Sequence, residues 1–506
     1  MKQLLEPLGH WRSRFLFHLF GFCLLLWVAL KYKEQGLAQL VARGEWEFHV
    51  LAALSVLLLV FGARLLLIAV TAAWALVCFG ILLSSQYRVF YFPAAEWTLW
   101  LVLSTASMVV CVIALVRRAS LSSVDPGASE RRYHDEVEWG ITRVFRVMAC
   151  VTLGFAALHK ANADFFDPEF TCVSLREYLH DWWNVSPKLT SWLTPAWVVI
   201  LEAVFPLLLI VVPSIGLLLT SLLVLEFGSI GAVAFAGMVI TMSGAFLPHD
   251  AGTILRRGFR RQWPLWLTLV GCAWGYGLLF YSGTYPLWIL AAFQTYAITA
   301  AFAAGLCAHA DWRVSRDRPR PQVRERPWAA LRSWWAGRNR PSDEAHERPS
   351  AAMRGLLASV VALAVFNGMT PYLGLKFQYS FAMLSNLRVD DARWNSYVFP
   401  RSMRLTDHDP YVHILRVTYR NLRTQELQAS GGTLDPGLYS PTILRFRLRH
   451  ALEQGYQVTF DFVYNGQEFS LRDTDDPSAL YDLIEQLPHT PLWQGHLAMN
   501  SQGCVH

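Results

Sequence analysis

Long apolar runs broken by short polar segments fill the first three quarters of the 506-residue chain. A helix rises about 1.5 Å per residue, so about 20 apolar residues cross a hydrocarbon layer about 30 Å thick. By that measure the runs 14–31, 48–62, 65–85, 97–116, 141–160, 194–213, 215–229, 231–248, 264–282, 285–307 and 355–373 are predicted membrane spans. The stretches 48–85 and 215–248 are short for two crossings and long for one, which leaves about 9 to 11 spans.

After the last run the period of the pattern changes. Leu444, Phe446 and Leu448 alternate with Arg445, Arg447 and Arg449, which predicts a half-buried strand. Val458, Phe460, Phe462 and Tyr464 alternate up to Asn465-Gly466, and the pattern resumes from Glu468 to Leu471, as in a hairpin with a tight turn. Tyr411–Tyr419 reads as another strand and Pro477–Leu487 as a short helix. The expected fold class is an α-helical polytopic membrane bundle with a small α+β C-terminal extramembrane domain. Its parts are a helical bundle over 1–308, an Arg/Pro-rich cytoplasmic linker over 309–354, the last span over 355–374, and a non-cytoplasmic domain over 375–506.

Composition agrees with this class. Hydrophobic residues make up 54% of the chain and charged residues 16%, whereas soluble domains carry about a quarter charged residues. The net charge of +6 comes largely from Arg clusters in the polar breaks. Those clusters suit orientation signals and contact with lipid headgroups, and leave no basic groove for nucleic acid. The eight cysteines include no CxxC and no Cys/His spacing suited to zinc, so no metal is expected. Cys172 and Cys504 stand apart as candidates for a disulfide, because both lie in polar sequence on the expected outer side. The basic start from Lys2 to Arg14 runs into apolar sequence without a small-residue cleavage site, which reads as a retained first span. Neither a nucleotide-binding loop nor a serine triad is present, which argues against ATP-driven action.

Positively charged loops stay cytoplasmic. Four segments vote together: the N-terminus, 117–140 with Arg117, Arg118, Arg131 and Arg132, 249–262 with Arg256, Arg257, Arg260 and Arg261, and 309–354. That orientation needs an even number of crossings between the second and third of these, which splits 215–248 in two. It places 161–193 and the tail after Gly374 outside.

A charge near the bilayer centre costs about 2.5 to 3.5 kcal/mol on insertion scales, so an ionisable residue in a span is a functional candidate. The run 141–160 ends in His159-Lys160, followed by Ala161-Asn162-Ala163-Asp164-Phe165-Phe166-Asp167-Pro168. Two readings of Lys160 compete. In one it snorkels at a helix C-terminus, where the helix dipole also favours a cation. In the other, shielding from water lowers the proton affinity of an amine, and Lys160 serves as a base. Asp164 would lie one turn beyond Lys160 on a continuing helix and would oppose that shift. Glu202 and Glu226 lie within predicted spans and call for polar partners in the bundle, catalytic or structural. His180, Asp181, Trp182 and Trp183 read as an interfacial cluster on the outer segment, as Trp334 and Trp335 do in the linker.

The segment Ala156-Ala157-Leu158-His159-Lys160-Ala161-Asn162-Ala163-Asp164-Phe165 resembles the vitamin K-dependent γ-carboxylases and their bacterial relatives with a horizontally transferred transmembrane domain. In that pattern a small pair precedes two lysines, then an apolar residue, an Asp or Asn, and an aromatic. Lys160 falls on the second lysine, which the family uses as base toward vitamin K hydroquinone, and His159 replaces the first. Similarity extends to Trp197–Pro206 around Glu202, to Gly231–Pro248, and to Pro371-Tyr372-Leu373-Gly374-Leu375-Lys376 continuing through Phe381–Arg388. Two departures stand out. A histidine that carboxylase-like sequences place early in the span after the Glu has no match, with Leu223 or Glu226 near its position. The tail is also much smaller than the carboxylase's lumenal region, so propeptide binding and processive modification are not implied.

The resemblance implies a multi-pass bacterial inner-membrane protein with a cytoplasmic N-terminus and a periplasmic C-terminal domain. It implies Lys160 and His159 as catalytic residues, with Asn162, Asp164, Glu202 and Glu226 lining the ligand site. The implied cofactor is a reduced vitamin K-type quinone. The partners expected are membrane lipids, a lipid-soluble quinol, and a periplasmic protein or peptide reaching residues 375–506. A non-catalytic protein that binds lipid or assists export or assembly is the alternative. A transporter with Glu202 and Glu226 along its path is the third reading.

Overall fold

The computed structural model describes residues 21–25, 46–61, 70, 72–73, 94–121, 126–167, 187–229, 233–247, 251–279, 287–317, 350–373, 387, 394–405, 412–421, 427–428, 437–439, 444, 448, 456–464 and 467–471. Among these residues the protein is mostly helical. In chain order the helices are α1 (Trp46–Phe61), α2 (Ala94–Leu121), α3 (Pro126–Lys160), the one-turn α4 (Ala163–Phe166), α5 (Pro187–Val211), α6 (Pro213–Ser229), α7 (Val233–Gly244), α8 (Ala251–Leu279), α9 (Leu287–Asp317) and α10 (Ala351–Met369). Three of them open on proline, whose missing N–H is no loss in a first turn and whose fixed φ suits it.

Four helical stretches among the described residues are long and apolar enough to cross a membrane: Val102–Ser120, Glu136–Lys160, Leu287–Ala310 and Ala351–Met369. Shorter apolar helices occupy His49–Leu58, Pro195–Val211, Pro213–Leu225 and Phe235–Gly244. The stretch 215–248 is indeed two helices, α6 and α7. Most of the predicted spans 14–31 and 65–85 lies outside the described residues, as do both tryptophan clusters.

The polar segment 249–262 is helical from Ala251, so the arginines from Arg256 to Arg261 ride on the first half of α8. Gln262, at φ −119° and ψ 16°, breaks the helix just before Pro264. Proline supplies no N–H to the preceding turn and crowds it, and α8 kinks there. The basic segment 117–140 is likewise largely helical, with Arg117 paired to Glu136 and Arg118 over the ring of Tyr133.

The chain divides into two compact units. One is drawn from Met1–Gly80, Thr98–Val151 and Val204–Leu363. In it α9 packs against α6, α7 and α8. The indole N–H groups of Trp266 and Trp274 donate to Thr299 and Thr295 at 3.1 and 3.0 Å. Thr241 on α7 meets the buried hydroxyl of Tyr296 at 2.6 Å. Arg146 donates to the carbonyl of Ala245, just past the end of α7, at 2.9 Å, with its guanidinium over Phe246.

The second unit is drawn from Ile81–Trp97, Thr152–Ala203 and Ala364–His506. Its sheet holds β1 (Val412–Asn421), β2 (Leu427–Gln428), β3 (Gly437–Tyr439), β4 (Tyr456–Tyr464) and β5 (Gln467–Leu471). The order is β2-β1-β4-β5, with β3 also on β1, and every pairing is antiparallel. Tyr464 pairs with Gln467, as the Asn465-Gly466 signal predicts for a two-residue hairpin. Val412, Ile414, Val417, Val458, Phe460 and Phe462 are buried. A register shift between Ile414 and Arg416 lets β1 keep Ile414 and Val417 both inside, although they are three residues apart.

The strand predicted at 444–449 is a correction. Leu444 and Leu448, the two described residues there, are helical and fully buried. A spacing of four satisfies both a period of 2 and a period of 3.6, so the two leucines fit one face of a helix as well as one face of a strand. The predicted helix Pro477–Leu487 lies outside the described residues.

Candidate functional site

Helix α3 ends at Lys160, and the chain turns at once. Asn162 adopts an extended conformation, φ −143° and ψ 161°, and its side-chain oxygen caps α4 by accepting from the Phe165 N–H at 2.9 Å. The same amide donates to the carbonyl of His159 at 2.7 Å, and its oxygen accepts from the Asn395 amide at 3.2 Å. One side chain thus closes the old helix, opens the new one and holds a distant segment. Asparagine suits this position because its short amide both donates and accepts.

The held segment forms an isolated antiparallel bridge between Asn162 and Ser396. Its backbone bonds are Ala163 N to Asn395 O and Tyr397 N to Ala161 O, each 3.1 Å. Trp394 secures its shape by donating to the carbonyl of Phe399 at 2.8 Å.

Lys160 is only 4% exposed and Glu202 only 3%. Nζ donates to both carboxylate oxygens of Glu202, at 3.0 and 2.9 Å, joining the end of α3 to α5. The carboxylate that pairs with Lys160 is therefore that of Glu202 and not that of Asp164. Continuation of α3 would have carried Asp164 back over Lys160, but the turn at Asn162 puts Asp164 on α4, where it is buried. Desolvating an ammonium and a carboxylate is costly, and the two-pronged contact offsets that cost only while both partners remain.

His159, fully buried, turns to another neighbour. Its Nδ1 lies 3.0 Å from the hydroxyl of Tyr372, and the rings stack with centroids 5.3 Å apart. Four residues earlier, Phe155 lies against Gly368, where a Cβ would come within 2.5 Å of its ring. Both contacts step forward together along the chain, so α3 and α10 run parallel and end side by side. Glycine at 368 permits that close approach.

Lys160, His159, Asn162, Asp164 and Glu202 are thus brought together in one unit. Glu226 lies on α6, in the other unit. Cys172 and Cys504 lie outside the described residues, and the described cysteines, 23, 111, 150, 272 and 307, form no disulfide with one another. Sequence reasoning assigned no role to Tyr372 or Asn395. Tyr372 lies in the segment Pro371–Lys376 with its family likeness, whereas nothing in the local pattern around Asn395 marks it.

Chemically the site offers an amine–carboxylate pair and an imidazole–phenol pair on consecutive residues of one helix end. Such groups can hold and pass protons, and can donate to a ligand oxygen. No family model, curated protein or solved structure matches this chain.

Proposed function

We propose that this chain is a carboxylase-like integral membrane protein of a bacterial inner membrane, which binds a lipid-soluble quinol or lipid at the outer leaflet with Lys160 as its base. The observation that carries this reading is the buried, two-pronged Lys160–Glu202 pair at the end of a candidate span. An amine exposed to water beside Asp164 would have counted against it.

In dry surroundings a charged pair and its neutral form lie closer in energy than in water, because burial penalises both charges. When the proton passes from Nζ to the Glu202 carboxylate, Nζ has a lone pair and accepts a proton from a bound hydroxyl. Nζ gives that proton up when a ligand oxygen is protonated again, and only then can Glu202 hand its stored proton back to Nζ. Lys160 and His159 would hold the ligand hydroxyls, and Asn162 fixes the turn that carries them. The donor set fits a reduced quinone, which supplies an ionisable hydroxyl and reducing electrons when bound. Exclusion of water by the buried Phe165 and Tyr372 protects the proton transfer from competition.

In the proposed topology the Arg-rich segments are cytoplasmic, and 161–193 and the C-terminal domain are periplasmic. The parallel ends of α3 and α10 support placing those two segments on one side. The C-terminal domain would then meet a periplasmic protein or peptide.

A second reading keeps the site but drops the chemistry: a membrane protein that binds lipid and assists export or assembly. The saturation of both Glu202 oxygens by one amine favours it, since a static pair clamps helices. Mass spectrometry of the lipids that copurify separates the two. A quinone retained by the natural protein and lost from Lys160→Ala supports the proposal, and quinol consumption unchanged in Lys160→Ala overturns it.

A further inference from the structure

The segment 394–405 is tied at both ends to the termini of two candidate spans. Tyr397 N donates to Ala161 O at 3.1 Å, one residue beyond the span Glu136–Lys160. Leu405 N donates to Leu373 O at 3.0 Å, four residues beyond the span Ala351–Met369. Spans of 25 and 19 residues measure about 37 and 28 Å, enough to bring both tie points to the boundary of a hydrocarbon layer about 30 Å thick.

Along the segment the side chains divide by burial. Asn395 is buried, and Phe399 packs on Tyr372 with ring centroids 4.2 Å apart. Tyr397, Val398 and Leu405 are 67%, 48% and 69% exposed, with the Tyr397 ring 6.5 Å from that of Phe166. A one-turn 3-10 helix, Arg401–Met403, lies between them and closes through Arg404 N to Arg401 O at 3.1 Å. It adds an exposed Arg401 and a partly exposed Arg404 beside this apolar group. A tyrosine and two aliphatic side chains flanked by arginines match the layer where acyl chains meet phosphates. The phenol ring suits that depth, and guanidinium groups pair with phosphate.

We infer that the loop 394–405 is an interfacial anchor, inserting Tyr397, Val398 and Leu405 into the headgroup layer of the leaflet where α3 and α10 end, with Arg401 on lipid phosphate. The occupant is the phospholipid surface itself. The inference requires that the two helices cross a bilayer and is independent of the quinol chemistry, so failure of quinone binding leaves it standing.

Spin labelling of the full chain in nanodiscs of zwitterionic and anionic phospholipid tests it. Labels at Tyr397→Cys, Val398→Cys and Leu405→Cys, read against the natural protein labelled identically, are expected to collide with oxygen more than with a water-soluble nickel chelate. Arg401→Glu is expected to shift the Tyr397→Cys label toward the chelate in anionic discs. Labels dominated by the chelate place the loop in water and overturn the anchor. Labels shielded from both reagents show a covering protein surface and overturn it equally. Folding of each variant is checked by its retention of the natural elution volume.

Discussion

Lys160 Nζ grips both carboxylate oxygens of Glu202 across 42 residues of sequence, at 3.0 and 2.9 Å, with neither side chain in contact with bulk water. A pair held this way is strongly coupled. Lys160→Met or Glu202→Leu alone strands a buried charge and should cost about 3 to 5 kcal/mol, whereas the double substitution should cost less than either. Denaturant unfolding in detergent micelles reads the cycle, and additive single effects would show the pair to be uncoupled.

Tyr372 meets His159 through both its ring and its hydroxyl. Tyr372→Phe keeps the stacked ring and removes the hydroxyl's contacts with His159 and with the Leu158 carbonyl at 3.5 Å, for an expected loss of about 1 kcal/mol. Tyr372→Ala should lose more, about 3 to 5 kcal/mol, by opening a cavity. Equal losses in the two variants would mean that the hydroxyl alone matters.

Gly368 leaves no room for a side chain against Phe155. Gly368→Ala should destabilise the protein by about 1 to 3 kcal/mol through overpacking, and Phe155→Leu in the same chain should recover part of that. Thermal unfolding of Gly368→Ala and of the double variant, each against the natural protein, checks both signs. A neutral Gly368→Ala would place the two helices farther apart than described.

Asn162→Ala removes three hydrogen bonds at once and leaves the Phe165 N–H without its cap. The expected loss is about 2 to 3 kcal/mol. Hydrogen exchange should quicken at the amides of Ala163, Phe165 and Tyr397 together, because one side chain holds both segments. Faster exchange at Phe165 alone would limit Asn162 to its capping role.

The helical class, the division of 215–248 into α6 and α7, and the β4–β5 hairpin were all legible in the sequence. Apolar run length marks the helices and alternation up to Asn465-Gly466 marks the hairpin, while the division of 215–248 follows from the even number of crossings that the Arg-rich segments require. The order of pairing around Lys160 was not legible. Asp164 is near in sequence, and only the turn made by Asn162 removes it, leaving Glu202 on another helix to complete the pair. Leu444 and Leu448 show the opposite failure: a spacing compatible with two periods, at positions that are helical and fully buried. The bridge from Asn162 to Ser396 is beyond any local pattern, since backbone groups of any residue can make it.

That bridge also sets a clock for assembly. Lys160 and Glu202 emerge from the ribosome close together, but Asn395 follows Asn162 by 233 residues, a delay of about 10 to 50 s at ordinary translation rates. During that interval the turn after α3 is without its latch. A nascent chain halted before residue 395 would carry the charged pair and lack the rim around it, so the site matures only as the C-terminal domain is made.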